Sequence, residues 1–552
     1  MKVLLLTFNC SYIHPNLALR WLYVANKHQD DVIIKEYTIK DDIERVAQDI
    51  LEINPDVIGL SVYIWNAEIT KDLIRHVQKL KHFRIIVGGP EVSFNAKEWI
   101  NEDIEAVLRG EGEISFWQAV RQEKEIEGIY TKDYISPCHY AKVDVAYLES
   151  LESPYYLEMD DAMRKNRYMY FETSRGCPYS CTYCLSSVDN SLRNFSLEYC
   201  FKQLEKLKEN PCKQVKFLDR TFNSHPKRAL ELAEFIDDLD VPMSFEFEVA
   251  LEFFTEDLLS FFEKSKPGRF RFEVGVQTFN PDTLKAIKRV QNVEKLAANV
   301  KRFSKAGLIL HTDLIAGLPL EDYDSFKNSY NKLFSLHCTE IQLGILKLLR
   351  GTKMMEEVDN LVYNEIAPYE VISTKWVPKD KMDRIKQVAF MTDRVYNTGR
   401  LRATFDTLFD DGYDIFEYMA DTKIGLDKLA KIQVFDYFNE LYKVIKDDVP
   451  YAKELLLNDY YRLFNEKPKA LFERPNNEIR KALFDKLIKE GYDEHELNQY
   501  GLLDYAYYNK TLVYQLVIYS KAHRLNRIEI YDLDFNLLKI KDYAEIKGVS
   551  QY

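Results

Sequence analysis

Eight residues constrain this chain more than any others: Cys177-Pro178-Tyr179-Ser180-Cys181-Thr182-Tyr183-Cys184. They place three thiols at spacings of three and then two intervening residues, directly behind the apolar run Tyr168-Met169-Tyr170-Phe171. A strand that ends in Ser174-Arg175-Gly176 delivers all three thiols into one tight loop, where they can face a common centre. Iron–sulfur clusters usually take four cysteines, so three local ligands without a fourth point to a four-iron, four-sulfur (4Fe–4S) cluster with one iron left open. A structural zinc site would need a fourth Cys or His, and the nearest spare thiols, Cys200 and Cys212, belong to no CxxC pair. Zinc stays the alternative on spacing alone.

This spacing behind a strand resembles the radical S-adenosylmethionine (radical SAM) superfamily. There Cys-x3-Cys-x2-Cys holds three irons, and the amino and carboxylate groups of S-adenosylmethionine chelate the fourth. The resemblance implies Cys177, Cys181 and Cys184 as the ligands. Other cysteines are sparse: only Cys10 and Cys138 precede the triad and none follows Cys338. That composition departs from the methylthiotransferases and from members with auxiliary clusters, so one cluster is expected.

At 552 residues the chain exceeds one core and suggests three domains. Its opening apolar run is too short for a signal peptide, and no stretch approaches the roughly 20 apolar residues that span a bilayer. A cytoplasmic protein with reduced thiols is therefore expected, without a membrane partner. A net charge of −13 argues against nucleic acid, which is bound by basic faces.

Residues 1–130 alternate β-rich runs (Lys2–Phe8, Val32–Tyr37, Val57–Val62, Arg84–Val87, Ala106–Leu108) with helical stretches. Such alternation predicts a doubly wound parallel sheet whose ligand sites lie at the carboxyl ends of the strands. No glycine-rich dinucleotide fingerprint follows the first strand. Later loops read Tyr63-Ile64-Trp65, Gly88-Gly89-Pro90-Glu91 and Gly110-Glu111-Gly112-Glu113. Glycines at strand ends let backbone approach a bulky planar ligand. With the triad downstream, these loops look like the cobalamin-binding domain of one large radical SAM subclass. That resemblance implies Tyr63, Trp65, Gly88, Gly89, Pro90, Glu91, Gly110, Glu111 and Gly112 as cobalamin contacts. The Asp-x-His-x-x-Gly motif that ligates cobalt from below is absent, so no protein imidazole on cobalt is implied. His14 is expected to position its loop.

Residues 131–165 have no sustained period and read as a linker. From 166 to 378 six strand–helix units follow, consistent with the partial (β/α)6 barrel of the superfamily, its catalytic face at the carboxyl ends of its strands. Four runs at those ends carry the resemblance further. They are Asp219-Arg220-Thr221-Phe222-Asn223, the strand with Glu246 and Glu248, Gly275-Val276-Gln277-Thr278-Phe279-Asn280, and Asp313-Leu314-Ile315-Ala316-Gly317-Leu318-Pro319. By resemblance Asp219, Glu248, Gln277 and Asp313 contact S-adenosylmethionine. Residues 379–552 are expected to be mainly helical, with periodic stretches at Asp380–Tyr396 and Asp427–Lys446 and a hairpin formed by Arg527–Tyr531 and Leu537–Ile540.

The expected fold is therefore α/β: a Rossmann-like cobalamin domain, a radical SAM barrel and a helical C-terminal domain. The expected function is a cobalamin-dependent radical SAM enzyme that cleaves S-adenosylmethionine to a 5′-deoxyadenosyl radical and methylates an unactivated carbon. Its substrate would be a small molecule or peptide, and its reductant an external donor such as flavodoxin or ferredoxin. The alternatives are a non-methylating rearrangement or oxidation, and a cobalamin- or zinc-binding regulator.

Overall fold

The computed structural model describes residues 1–422, 433–464, 471, 475–508, 511–520 and 525–542. The chain divides into two compact units. The first comprises Met1–Phe326, Leu336–Thr339 and Gly344–Lys379; the second comprises Lys327–Ser335, Glu340–Leu343 and Asp380–Tyr552.

The first unit begins with strands β1 (Lys2–Asn9), β2 (Asp31–Thr38), β3 (Val57–Ser61), β4 (Arg84–Gly88), β5 (Ala106–Leu108) and β6 (Ile129–Tyr130). They lie in the order β2-β1-β3-β4-β5-β6, all pairs parallel except the last. A parallel sheet is covered on both faces, which is why β1 is a continuous apolar run. Its side chains alternate between two cores. Leu4, Leu6 and Phe8 pack with Val46, Ile50 and Leu73, whereas Val3 and Leu5 pack with Phe116 and Trp117.

The second sheet follows chain order: β7 (Tyr168–Phe171), β8 (Gln214–Phe217), β9 (Phe245–Val249), β10 (Phe270–Gln277), β11 (Ile309–Ala316) and finally β12 (Glu340–Ile345). Strands β7 to β11 pair parallel. Alternation sorts their residues. Phe272, Val274, Leu310 and Leu314 are buried in the hydrophobic layer, and Arg271, Glu273, His311 and Asp313 fall on the opposite face, half-buried.

Residues 131–165, read from sequence as a linker, are laid against the first sheet. Gly110 and Ala141 form a bridge, Val145–Glu149 and Asp161–Arg164 are short helices, and Leu148 is fully buried. Polar, aperiodic sequence hid this because the segment is held by backbone pairing and charge. Arg20 reaches Asp160 at 2.5 Å and Glu36 at 3.1 Å, and Glu36 in turn reaches Arg167 at 2.8 Å. Arg167 stands immediately before β7, so the chain Asp160–Arg20–Glu36–Arg167 fixes the barrel's first strand to the N-terminal sheet.

In the second unit the helical expectation is met as far as Tyr500, with helices such as Lys379–Met391, Val434–Ile445, Ala452–Leu463 and Asn477–Lys489. Residues 423–432, 465–470 and 472–474, part of the stretch expected to be helical, lie outside the described residues. Beyond Tyr500 the described elements are strands, two more than the expected hairpin supplies. Strands β13 (Gly501–Tyr508), β14 (Thr511–Ser520), β15 (Leu525–Tyr531) and β16 (Leu537–Asp542) form a four-stranded antiparallel sheet, of which only the last hairpin was legible. The tyrosines and β-branched residues of 505–519 favour a pleated, half-buried surface, and Leu503, Tyr514 and Leu516 pack on Leu483 and Leu487. No described helix is long and apolar enough to cross a membrane.

Burial alone would raise the Glu36 carboxyl, but the Arg20 and Arg167 charges and their hydrogen bonds overcome it and hold the group down at about 2. A depressed carboxyl stabilises the fold above its ordinary value and loses that contribution as pH falls through the window down to about 2. The window is worth roughly 3 kcal/mol. Glu36→Gln leaves Arg20 and Arg167 buried without their shared anion, so it should cost about 3–5 kcal/mol at neutral pH and flatten the acid limb. Denaturant unfolding of cluster-free protein across pH checks both.

Candidate functional site

The cysteine loop is closed at its base by a two-residue ribbon, Ser174–Arg175 against Arg193–Asn194. Gly176 has φ +88°, and the Ser191 carbonyl occupies the place a β-carbon would need. Inside the loop the Cys177 amide donates to the Asp189 carbonyl at 3.1 Å and the Thr182 amide to the Ile287 carbonyl at 3.0 Å. Cys177 and Cys181 are buried and Cys184 half-buried, all as free thiols. The three line one cavity of about 210 Å³. Burial pushes the Cys177 and Cys181 thiols up. Among the described residues no three His, Cys, Asp or Glu converge on the point a single ion would occupy. The three thiols share one wall of that cavity.

Three of the four residues carried over as S-adenosylmethionine contacts line this same cavity: Glu248, Gln277 and Asp313. Gln277 follows a register shift between β10 and β11 and has φ +65°, an uncommon backbone for a residue with a side chain. It is only 8% exposed, and its Oε1 is buried without a hydrogen-bond partner. Its amide fills the space above Gly275, where a β-carbon would collide with it. A buried unpaired carbonyl oxygen in a cavity wall suits a ligand that donates there. Burial raises the Asp313 carboxyl to about 6, against the lowering effect of His311, whose Nε2 lies 3.4 Å away. On the same face Glu273 is pushed up to about 8 by burial and by its hydrogen bond to Glu246.

Asp219 does not belong to this set. It is fully buried and absent from the cavity wall, accepting from the Thr173 amide at 2.9 Å and from the Thr173 and Ser174 hydroxyls at 2.6 Å each. It anchors the root of the cysteine loop, and the next residues in the chain, Arg220 and Thr221, face the cavity instead. Sequence reading also missed Arg289. Its guanidinium donates to the Gly275 carbonyl at 2.5 Å and to the Tyr183 hydroxyl at 3.3 Å, and stands 4.0 Å from the Cys181 sulfur. It lies a helix beyond Gln277, where no local pattern marked it.

A larger cavity, about 690 Å³, opens between the carboxyl ends of the N-terminal strands and the barrel. Tyr63, Trp65, Gly88, Gly89, Pro90, Gly110, Glu111 and Gly112 line it as expected. Tyr63 and Trp65 stack with ring centroids 4.4 Å apart, and Trp65 stays 43% exposed. Glu91 is a correction: it is buried, outside the lining, and accepts from the Tyr369 hydroxyl. Two of these glycines also serve the packing of the chain itself. A β-carbon on Gly89 (φ +113°) would strike the Val62 backbone, and one on Gly110 (φ +95°) the Ala141 backbone, so both are demanded by chain-to-chain packing. His14 holds its loop, as expected, with Nδ1 2.6 Å from the Tyr170 hydroxyl. The barrel contributes Tyr170, Glu172, Arg175 and Leu218 to this wall, and Arg220 and Ser186 line both cavities. Glu113 Oε2 is buried here without a partner, an acceptor suited to the amide-rich rim of a corrin.

Residues 171–333 match the family model of the radical SAM superfamily, and residues 3–120 match that of the B12-binding domain. The chain carries a radical SAM domain and a B12-binding domain. Residues 359–529 match a further model described as a protein of unknown function. An uncharacterized methyltransferase of Pyrococcus horikoshii is 24% identical over 361 residues, 62% of this chain and 78% of that protein. The 2-(S-pantetheinyl)-carbapenam-3-carboxylate methyltransferase of Streptantibioticus cattleyicolor is 28% identical over 323 residues, 53% of this chain but only 46% of that protein. The solved cobalamin-dependent S-adenosylmethionine radical enzyme OxsB, with aqua-cobalamin and S-adenosylmethionine bound, shares the fold across 90% of this chain and 76% of its own, at 16% identity and a TM-score of 0.57. The radical S-adenosylmethionine methyltransferase TsrM of Kitasatospora setae shares it across 66% of this chain and 78% of its own, at 18% identity and a TM-score of 0.55. The radical SAM and B12-binding domain matches make a 4Fe–4S cluster, S-adenosylmethionine and cobalamin the cofactors of this enzyme.

Gly89→Ala tests whether that glycine serves the fold. Its positive φ and the Val62 backbone should make it cost about 3 kcal/mol or more, measured by denaturant unfolding of protein free of every cofactor.

Proposed function

We propose that this radical SAM enzyme methylates an unactivated carbon of a small molecule or peptide, with cobalamin as the methyl carrier. The observation that carries the reading is the meeting of two cavities. One is walled by the three cysteines with Gln277 and Asp313, the other by the N-terminal strand ends, and they share Arg220 and Ser186. When bound, the three cofactors supply a one-electron reductant, a hydrogen-abstracting radical source and a methyl donor, chemistry that belongs to them and not to the protein.

The protein's part is placement. Cys177, Cys181 and Cys184 would hold three irons and leave one open. Gln277, Asp313 and Glu248 would orient S-adenosylmethionine, with Arg289 and Arg220 supplying the cationic side of that wall. Tyr63 and Trp65, with the loops at Gly88–Pro90 and Gly110–Gly112, would hold the corrin. Burial and the hydrogen bond to Glu246 push the Glu273 carboxyl up to about 8, so this pair shares a proton and the wall carries less negative charge than composition suggests. Residues 1–130 would form the cobalamin domain, 166–378 the radical barrel, and 379–552 a C-terminal domain for substrate recognition. Electrons would come from an external donor of the flavodoxin or ferredoxin kind, in the cytoplasm.

Anaerobically reconstituted protein should show 4Fe–4S absorbance and, with reductant, cleave S-adenosylmethionine. Cys181→Ala should lose both. S-Adenosylmethionine carrying an isotopically labelled methyl group should pass its label to bound cobalamin and on to product. Cleavage without any label on cobalamin or product would replace methylation with a rearrangement or oxidation. Zinc in place of iron and sulfide would overturn the enzyme reading.

A further inference from the structure

Arg175 sits two residues ahead of Cys177, and its partners come from both sides of the larger cavity. Its guanidinium lies 2.8 Å from Glu113, 3.4 Å from Glu111 and 3.1 Å from Glu172. Glu111 and Glu113 belong to the loop after β5 of the N-terminal sheet, and Glu172 follows β7 of the barrel. All are nearly buried, with side chains 7–16% exposed. A second path runs parallel to the first. Glu111 is 2.5 Å from Arg193, Arg193 is 3.0 Å from Asp189, and the Asp189 carbonyl accepts the Cys177 amide at 3.1 Å. Both ends of the cysteine loop are therefore tied by buried charge to one loop of the cobalamin-binding sheet.

Arginine suits this position because its planar fork can serve several carboxylates at once, which a lysine ammonium cannot do with fixed geometry. Glu113 adds the means of transmission. One of its oxygens engages Arg175, whereas Oε2 is buried in the cavity wall without a partner. A donor from a ligand at Oε2 would fix the carboxylate, hence the guanidinium, hence the residue that leads into Cys177.

We propose that Arg175 is a positioning residue that couples the two cofactor sites, so that filling the cobalamin cavity and assembling the cluster each favour the other through the Glu113–Arg175 contact. The inference rests on the reading of the two cavities as cobalamin and cluster sites. Coupling of binding free energies is reciprocal, so one direction suffices to measure it. A residue that merely braced the fold would weaken cobalamin binding with and without the cluster alike.

The experiment is equilibrium dialysis of hydroxocobalamin against full-length protein, cobalt being read by elemental analysis, with and without a reconstituted cluster. In the natural protein the cluster should tighten binding by about fivefold or more, the low end of ordinary site-to-site coupling. Arg175→Gln should bring that ratio to about one. Glu113→Gln cuts the same contact from the far side without altering the cysteine loop, so it should do likewise even if Arg175→Gln fails to hold a cluster. A ratio near one in the natural protein, or a natural ratio retained in Glu113→Gln, would overturn the coupling. Natural protein that binds no cobalamin in either state would instead overturn the reading on which it rests.

Discussion

Two half-sites become one through buried charge at the joint between the N-terminal sheet and the barrel. A parallel sheet offers ligands only the loops at the carboxyl ends of its strands, and a barrel of parallel strands does the same. Each domain alone thus has one open working edge. The chain Asp160–Arg20–Glu36–Arg167 fixes the first barrel strand to the first sheet, and Arg175 with Glu111 and Glu113 brings the two working edges to a common cavity. Buried ion pairs gain little over well-packed apolar residues but are costly to break once formed. Here they hold the two domains in the arrangement in which these buried charges are matched.

The barrel's inner face repeats that economy. Lys216 engages Glu246 and lies 3.8 Å from Glu273, Arg271 lies 3.3 Å from Glu246, and His311 lies 3.4 Å from Asp313. Strand alternation turns these groups to the face opposite the phenylalanine-rich layer. Three carboxyls on neighbouring strands cannot all ionise freely in a low-dielectric space, and burial raises two of them, Glu273 to about 8 and Asp313 to about 6. The chamber is polar without being strongly anionic.

Much of this was legible in the sequence because it is written in periods and spacings. Strand–helix alternation located both parallel sheets, and the cysteine spacing marked the loop that bears them. Gln277, Asp313 and Glu248 were placed by their runs at strand ends. What failed depended on direction and partnership. Asp219 stands among the right residues, yet it turns inward to Thr173 and Ser174, and Arg220 takes the open side. Glu91 meets Tyr369, 278 positions away in sequence, a contact no local pattern announces. The sheet over 501–542 was hidden by tyrosines that read equally well as a helical surface until Leu483 and Leu487 supplied the face they pack against.

The strand-end glycines carry a consequence for how relatives are found. Gly89 and Gly110 lack side chains because Val62 and Ala141 backbone would occupy that volume, so selection on them acts through folding. A profile keyed to Gly-Gly-Pro-Glu and Gly-Glu-Gly-Glu would gather chains that fold this way, whatever ligand they hold. One keyed to the Tyr63–Trp65 stack and the unpaired Glu113 oxygen would gather chains that keep the cavity's chemistry, and the two populations need not coincide.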